Sequence, residues 1–190
     1  MSETVAVFGG SFNPPHVAHV LAVAFVLSTA EVDRVLVVPT FRHPFAKSLA
    51  PYDDRVRMCA LAMTWMPRVE VSRVEEELGG DSLTLRTVEH LQAKLPDARL
   101  RLVMGADILL ESSKWYRWDE VTKIAPPLVL GRAGVSATTN GPAPPALLPA
   151  VSSTEVRALF AKGAWDELAS LVPREVLAYA REKGLYGAAR

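Results

Sequence analysis

The 190-residue chain contains a single cysteine, no net charge and no apolar run long enough to cross a bilayer. Each shortage excludes a class of protein. Cys59 alone cannot close an internal disulfide, and within "VRMCALAM" it falls at helical apolar spacing, which predicts a buried thiol in a reducing compartment. Lys plus Arg and Asp plus Glu stand at 21 each, so no overall field draws the molecule to nucleic acid or to an anionic membrane. Neither is expected as a partner, although a local basic site is still allowed. The apolar stretch 17–27 is interrupted by His19 and too short for a span, and residues 1–4 carry no basic leader, so a soluble cytoplasmic protein is expected. No period of the kind that marks repeat proteins is visible.

Three motifs are also missing. There is no Gly-x-x-x-x-Gly-Lys-Ser/Thr phosphate loop and no G-x-G-x-x-G dinucleotide fingerprint. With four histidines and one cysteine, and no H-E-x-x-H arrangement, a protein-built zinc site is not expected either.

What is present is alternation. "TVAVFGG", "DRVLVVPT", "VEVSRV", "RLRLVMG" and "PLVLGR" are short, rich in Val and Leu, and end at Gly, Pro or a polar residue, the pattern of buried strands. Helical spacing covers His16 to Ser28, Tyr52 to Trp65, Leu83 to Leu95 and Trp118 to Ile124. Strands alternating with helices predict an α/β fold, a Rossmann-like doubly wound parallel sheet with helices on both faces. The Gly/Pro/Ser/Thr-rich stretch 133–150 reads as a loop. Beyond it, Ser152 or Ser153 is placed to cap a helix through Phe160. Val172-Pro173 starts a last helix ending at Gly184. Residues 1–190 are therefore expected to form one domain, with a core over 1–150 and a helical appendage over 151–190.

Ligands of doubly wound sheets bind beyond the carboxyl ends of the strands, and "GGSFNPPHVAHV" occupies that place after the first strand. Gly9 and Gly10 allow close backbone approach, Asn13 is positioned to cap the next helix, and Pro14 falls at its first turn. His16 and His19 then share one face beside free amides and the positive end of the helix dipole. That environment suits an anion and disfavours a bare cation. Taken alone, a His pair at this spacing is more often two polar residues on a half-exposed helix face.

Together with "VPTFRHPFAKSLAPYDDRVRM", "DSLTLRTVEHL", "LVMGADILLESSKWYRW", "VSSTEVR" and "LVPREVLAYAREKGLY", the opening stretch resembles the H-x-G-H nucleotidyltransferases, and within them the bacterial nicotinate mononucleotide adenylyltransferases. The resemblance spans nearly the whole chain. It implies transfer of the adenylyl group of ATP to the 5′-phosphate of nicotinate mononucleotide, giving deamido-NAD and pyrophosphate. It assigns catalysis to His16 and His19, and ATP binding to Gly9, Gly10, Ser11, Phe12, Gly105, Asp107, Ser153, Thr154 and Arg157. Asn13, Lys47, Thr84 and Trp115 are assigned to the mononucleotide, with His43 nearby. Arg55 is given phosphate-side electrostatics and no more.

Mg²⁺ is implied as a cofactor carried mainly by the ATP phosphates rather than by protein ligands. The acidic run Glu75 to Glu77, with Asp81, reads as a solvated loop or helix end. The chain departs from the family pattern at Ala18, where a glycine is usual, at Asn13, where an aspartate is frequent, and at Leu83, where an aromatic is usual. A methyl group at position 18 is expected to cost some ATP affinity. Nicotinamide mononucleotide or another phosphorylated acceptor is the alternative substrate, a weakly active nucleotide-binding regulatory module is the non-enzymatic alternative, and a homo-oligomer is left open.

Overall fold

The computed structural model describes residues 2–43, 48–135, 137–138, 141–142, 145 and 148–187. Its centre is a five-stranded parallel sheet in the order β3-β2-β1-β4-β5. The strands are β1 (Thr4–Gly10), β2 (Arg34–Pro39), β3 (Val69–Val71), β4 (Arg99–Gly105) and β5 (Pro127–Leu130). Alternate residues of each inner strand point to opposite faces, and both faces are covered. Ala6, Phe8, Val35, Val37 and Val103 belong to one apolar cluster, whereas Val5, Val7, Leu36, Val38 and Leu102 belong to the other. Burial on both sides is why these strands read as continuous apolar runs rather than as alternating ones.

Helices α1 (Val17–Thr29) and α2 (Tyr52–Met63) connect β1 to β2 and β2 to β3; Ala22, Val23 and Val26 of the one and Met58, Cys59, Ala62 and Met63 of the other lie in the first cluster. The chain then returns across the sheet through α3 (Val74–Leu78) and α4 (Thr84–Lys94). After β4 it continues through α5 (Ala106–Leu110), a 3-10 turn (Ser112–Lys114) and α6 (Trp118–Ile124). Val88, Leu91 and Val121 fill the second cluster. Helices α7 (Ser153–Lys162), α8 (Trp165–Leu171) and α9 (Arg174–Glu182) close back on the first face, where Val156, Phe160, Leu168 and Val176 join its cluster. Because the first crossovers run one way from β1 and the later ones the other, the winding reverses between β1 and β4. The crevice at their carboxyl ends is where such sheets take ligands.

The α/β expectation holds, with local differences. "VEVSRV" is a strand only over Val69–Val71, since Val74 already begins α3. Short α5 and α8 were not expected. Gly105, read as part of a turn, is the N-cap of α5, and Ser152 caps α7, its Oγ accepting from the Glu155 amide at 3.2 Å. Cys59 is fully buried, and burial pushes its thiol pKa upward. Among the described residues no helix is long and apolar enough to cross a membrane.

Candidate active site

The first helix begins at Val17, not near Pro14, and its N-cap is His16 rather than Asn13. The His16 amide donates to His19 Nδ1 at 3.1 Å, and the two rings stack with centroids 3.8 Å apart. Burial, and secondarily the charge of Arg132, lowers the His16 pKa to about 4. Burial, His16 and Arg132 also hold His19 well below its ordinary value. Both imidazoles are therefore neutral at pH 7. Since His19 Nδ1 accepts a hydrogen bond, the ring's single proton sits on Nε2, leaving that edge a donor. His16 Nδ1 is buried without a partner.

Asn13 is 3% exposed, and its Oδ1 accepts from the Ala50 amide at 3.0 Å, which fixes the loop ahead of α2. Phe12, at φ 45°, turns its ring into the core against Phe8 and His19, so that only its backbone is left to meet a nucleotide. The two glycines also differ. A Cβ on Gly10 would press on the Phe12 ring at 3.2 Å, so the missing side chain serves internal packing. A Cβ on Gly9 would meet nothing within 4 Å. Gly9 is the glycine that borders open space.

The distant α7 is bonded directly to this loop. Ser153 Oγ donates to the Pro14 carbonyl at 2.9 Å, and Arg157 Nη1 donates to the Asn13 carbonyl at 2.8 Å, while its Nη2 donates to Thr154 Oγ1 at 3.1 Å. The expected phosphate-binding residues of α7 are thus brought to the histidine loop across nearly the whole sequence. Arg55 supports the same loop from beneath. It is 1% exposed, donating from Nε to the Ala50 carbonyl at 2.9 Å and from Nη1 to the Ser11 carbonyl at 3.0 Å. Sealed in this way, Arg55 braces the backbone of the histidine loop.

Across the crevice, Asp107 Oδ2 pairs with Arg132 Nη1 at 2.7 Å, and Asp107 Oδ1 is buried without a partner. A Cβ on Gly105 would lie 2.4 Å from that Oδ1, so the glycine is what lets the carboxylate fold back over the end of β4. Arg132 escaped the sequence reading, which treated it as the polar end of a strand. Glu75, at the start of α3, is half-buried and bonded rather than a freely solvated charge. Its Oε2 accepts from the Phe41 amide at 2.9 Å and its Oε1 from Thr87 Oγ1 at 3.1 Å. In a run of three glutamates nothing in the sequence marks the first as different.

Of the expected mononucleotide residues, Thr84 and Trp115 lie on the second face. Thr84 opens α4, with Leu83 as N-cap, beside a shallow surface dip lined by Glu75, Ser82, Leu83, Arg86 and Thr87 among others. Trp115 is half-buried, edge-on to Trp118 with centroids 5.5 Å apart. His43 is half-buried, and Lys47 lies outside the described residues. Ala18 is 6% exposed on the stripe of α1 that also buries Ala22 and Val26. Among the described residues no group of three or more His, Cys, Asp or Glu could hold a metal ion.

Residues 7–159 match the cytidylyltransferase-like family. The chain belongs to that family. Among curated relatives of this cytidylyltransferase-like protein, the probable nicotinate-nucleotide adenylyltransferase of Anaeromyxobacter sp. (strain K) is 51% identical over 185 residues, covering 96% of each chain. The protein of the same name from Myxococcus xanthus (strain DK1622) is 42% identical, covering 98% of this chain and 96% of its own. In three dimensions the fold is shared with Plasmodium falciparum nicotinic acid mononucleotide adenylyltransferase complexed with NaAD, at a TM-score of 0.84 and 14% identity over 98% of both chains.

Proposed function

We propose that the protein is a nicotinate-nucleotide adenylyltransferase. A 5′-phosphate oxygen of nicotinate mononucleotide attacks the α-phosphorus of ATP, the bond from that phosphorus to the bridging oxygen breaks, and deamido-NAD and pyrophosphate result. The observation that carries this reading is the direct bonding of Ser153 and Arg157 to the carbonyls of Pro14 and Asn13. It sets two donor-rich helix starts side by side at the reversal of the sheet, a geometry that suits a polyphosphate. The curated relatives named for this reaction support the choice of substrates.

The nucleophile is already anionic, so no side chain has to be activated, and catalysis reduces to positioning and charge stabilisation. His19 donates from Nε2 to the charge that develops around the α-phosphorus, with His16 stacked beside it. Ser153, Thr154 and Arg157 hold the β- and γ-phosphates. Gly9, the backbone of Ser11 and Phe12, and the Gly105–Asp107 turn receive the rest of ATP, while Thr84, Trp115 and Lys47 serve the mononucleotide. Mg²⁺ fits as a passenger on ATP, bound by phosphate oxygens and water. The crevice carboxylate Asp107 is already paired with Arg132, and the neighbouring donors are imidazole and guanidinium groups. The ion's contribution is to neutralise triphosphate charge.

Pyrophosphate release on mixing protein, ATP and Mg²⁺ with either pyridine mononucleotide tests the proposal. Release with nicotinate mononucleotide supports it, and release only with nicotinamide mononucleotide reassigns the acceptor. Absence of release with both, while ATP still binds, favours a different phosphorylated acceptor or a regulatory nucleotide-binding module.

A further inference from the structure

We infer that Arg132 is a positioning residue that sets the distance between the two halves of the nucleotide crevice. The inference rests on the nucleotide-binding reading above and names a residue which that reading does not use. Residues 131–133 return alongside Leu148, with the Ala133 amide donating to the Leu148 carbonyl at 2.9 Å and the Leu148 amide to the Gly131 carbonyl at 3.1 Å. From that anchored backbone the guanidinium spans the crevice. Nη1 reaches Asp107 Oδ2 at 2.7 Å, and Nη2 donates to the Val151 carbonyl.

The two ends of this bridge belong to different parts of the site. Asp107 stands in the first turn of α5, at the carboxyl end of β4. Val151 is buried and immediately precedes Ser152, the cap of α7. The nucleoside side and the polyphosphate side of the crevice are thus held by one planar group whose donors diverge at a fixed angle. Asp107 Oδ1 has no partner of its own, so Oδ2 is the oxygen that orients the carboxylate. The bond to the Val151 carbonyl ties the cap of α7 to the end of β4, beside the bonds of Ser153 and Arg157 to the loop after β1.

A lysine has the charge but no fork, and one ammonium on a flexible stem does not hold two acceptors at a set separation. R132K therefore separates bracing from electrostatics. Binding is read by calorimetry with two probes, Mg²⁺-ATP, which must engage both halves, and Mg²⁺-tripolyphosphate, which engages only the phosphate half. We expect R132K to weaken ATP about tenfold, the scale of a small misplacement of binding groups. Tripolyphosphate affinity should stay within about twofold and the melting temperature within a few degrees. In an Asp107→Ala background, R132K should add less than about threefold to the loss of ATP affinity, because both changes break the same bridge.

Equal ATP affinity in R132K and wild type overturns the proposal. So does an equal loss for both probes, which would mean a direct phosphate contact or general loosening, and so does additivity with Asp107→Ala. Since binding is read without turnover, the two readings fail separately. The affinity split in a protein that releases no pyrophosphate with either pyridine mononucleotide supports the brace and refutes adenylyl transfer to those acceptors. A wild type that binds neither probe overturns both.

Discussion

Replacing Gly105 by alanine is the most informative single change to the crevice, because its consequence is local and can be followed atom by atom. Gly105 sits at φ −73° and ψ 153°, a conformation open to any residue, so alanine introduces no backbone strain. The new methyl group would, however, lie 2.4 Å from Asp107 Oδ1, far inside van der Waals contact. Asp107 must rotate away, and its bond to Arg132 is lost. Both partners are partly exposed, at 25% and 32%, so losing the pair costs at most about 1 kcal/mol. The reduced freedom of the unfolded chain offsets about half of that. The melting temperature should therefore fall by no more than about 4 °C. ATP binding should suffer more. Displacing the carboxylate proposed to meet the nucleoside is expected to raise KM for ATP about tenfold or more, with KM for nicotinate mononucleotide little changed. Pyrophosphate release at varied ATP and saturating mononucleotide, alongside a thermal melt, measures both. A folded Gly105→Ala protein with wild-type KM for ATP would refute the reasoning, since it would mean that Asp107 can leave its place without consequence.

Three further outcomes follow from the first helix. Ala18→Gly removes a buried methyl group from the first turn of α1, so it should cost no more than about 1 kcal/mol, the penalty of glycine in a helix interior, and leave turnover within about twofold; a large rise in kcat would show that the methyl group obstructs the nucleotide. His19→Ala should lower kcat by on the order of 10² to 10³, as loss of one preorganised donor does. His19→Asn, which can still accept the His16 amide, shows in a thermal melt how much of any stability loss belongs to that bond. The third outcome concerns acid. Burial lowers the His16 pKa from 6.5 to about 4, so the unfolded chain takes up a proton in that window while the folded chain does not. Stability is lost as pH falls from 6.5 towards 4, by up to about 3 kcal/mol from this group. The carboxylates Glu76 and Glu77 are held below their ordinary 4.5 by Arg73 and Lys94, so their contribution is lost only as pH falls from about 4.5 downward, at the acid end of that window. His16→Asn should flatten the decline in melting temperature, and an unchanged slope would mean that His16 is not the group responsible.

The strands and the larger helices were legible because burial on both faces demands unbroken apolar runs, and because the chain leaves each strand at Gly, Pro or a polar residue. Strand β1 ends at Gly9-Gly10 and β4 at Gly105, as the letters suggested. The start of α1 was misplaced for a physical reason. Asn13 and Pro14 have the chemistry of a helix start, but the Asn13 carbonyl accepts from Arg157 and its Oδ1 accepts from the Ala50 amide, which holds them in a loop. The first turn then falls to His16. Local propensity was overridden by partners that lie 37 and 144 positions away.

The sequence by itself determined the α/β class, the glycine-marked strand ends and the identity of the histidine pair, since these depend on periodicity and short-range chemistry. Tertiary structure alone decided which polar groups are free to act. Arg55, Asn13 and the Phe12 ring are consumed in supporting the loop, Glu75 pins the Phe41 amide, and Arg132 joins two segments that the chain order keeps apart. A side chain's role depends on which acceptors and donors reach it once distant segments meet, and no local pattern of residues encodes those distances.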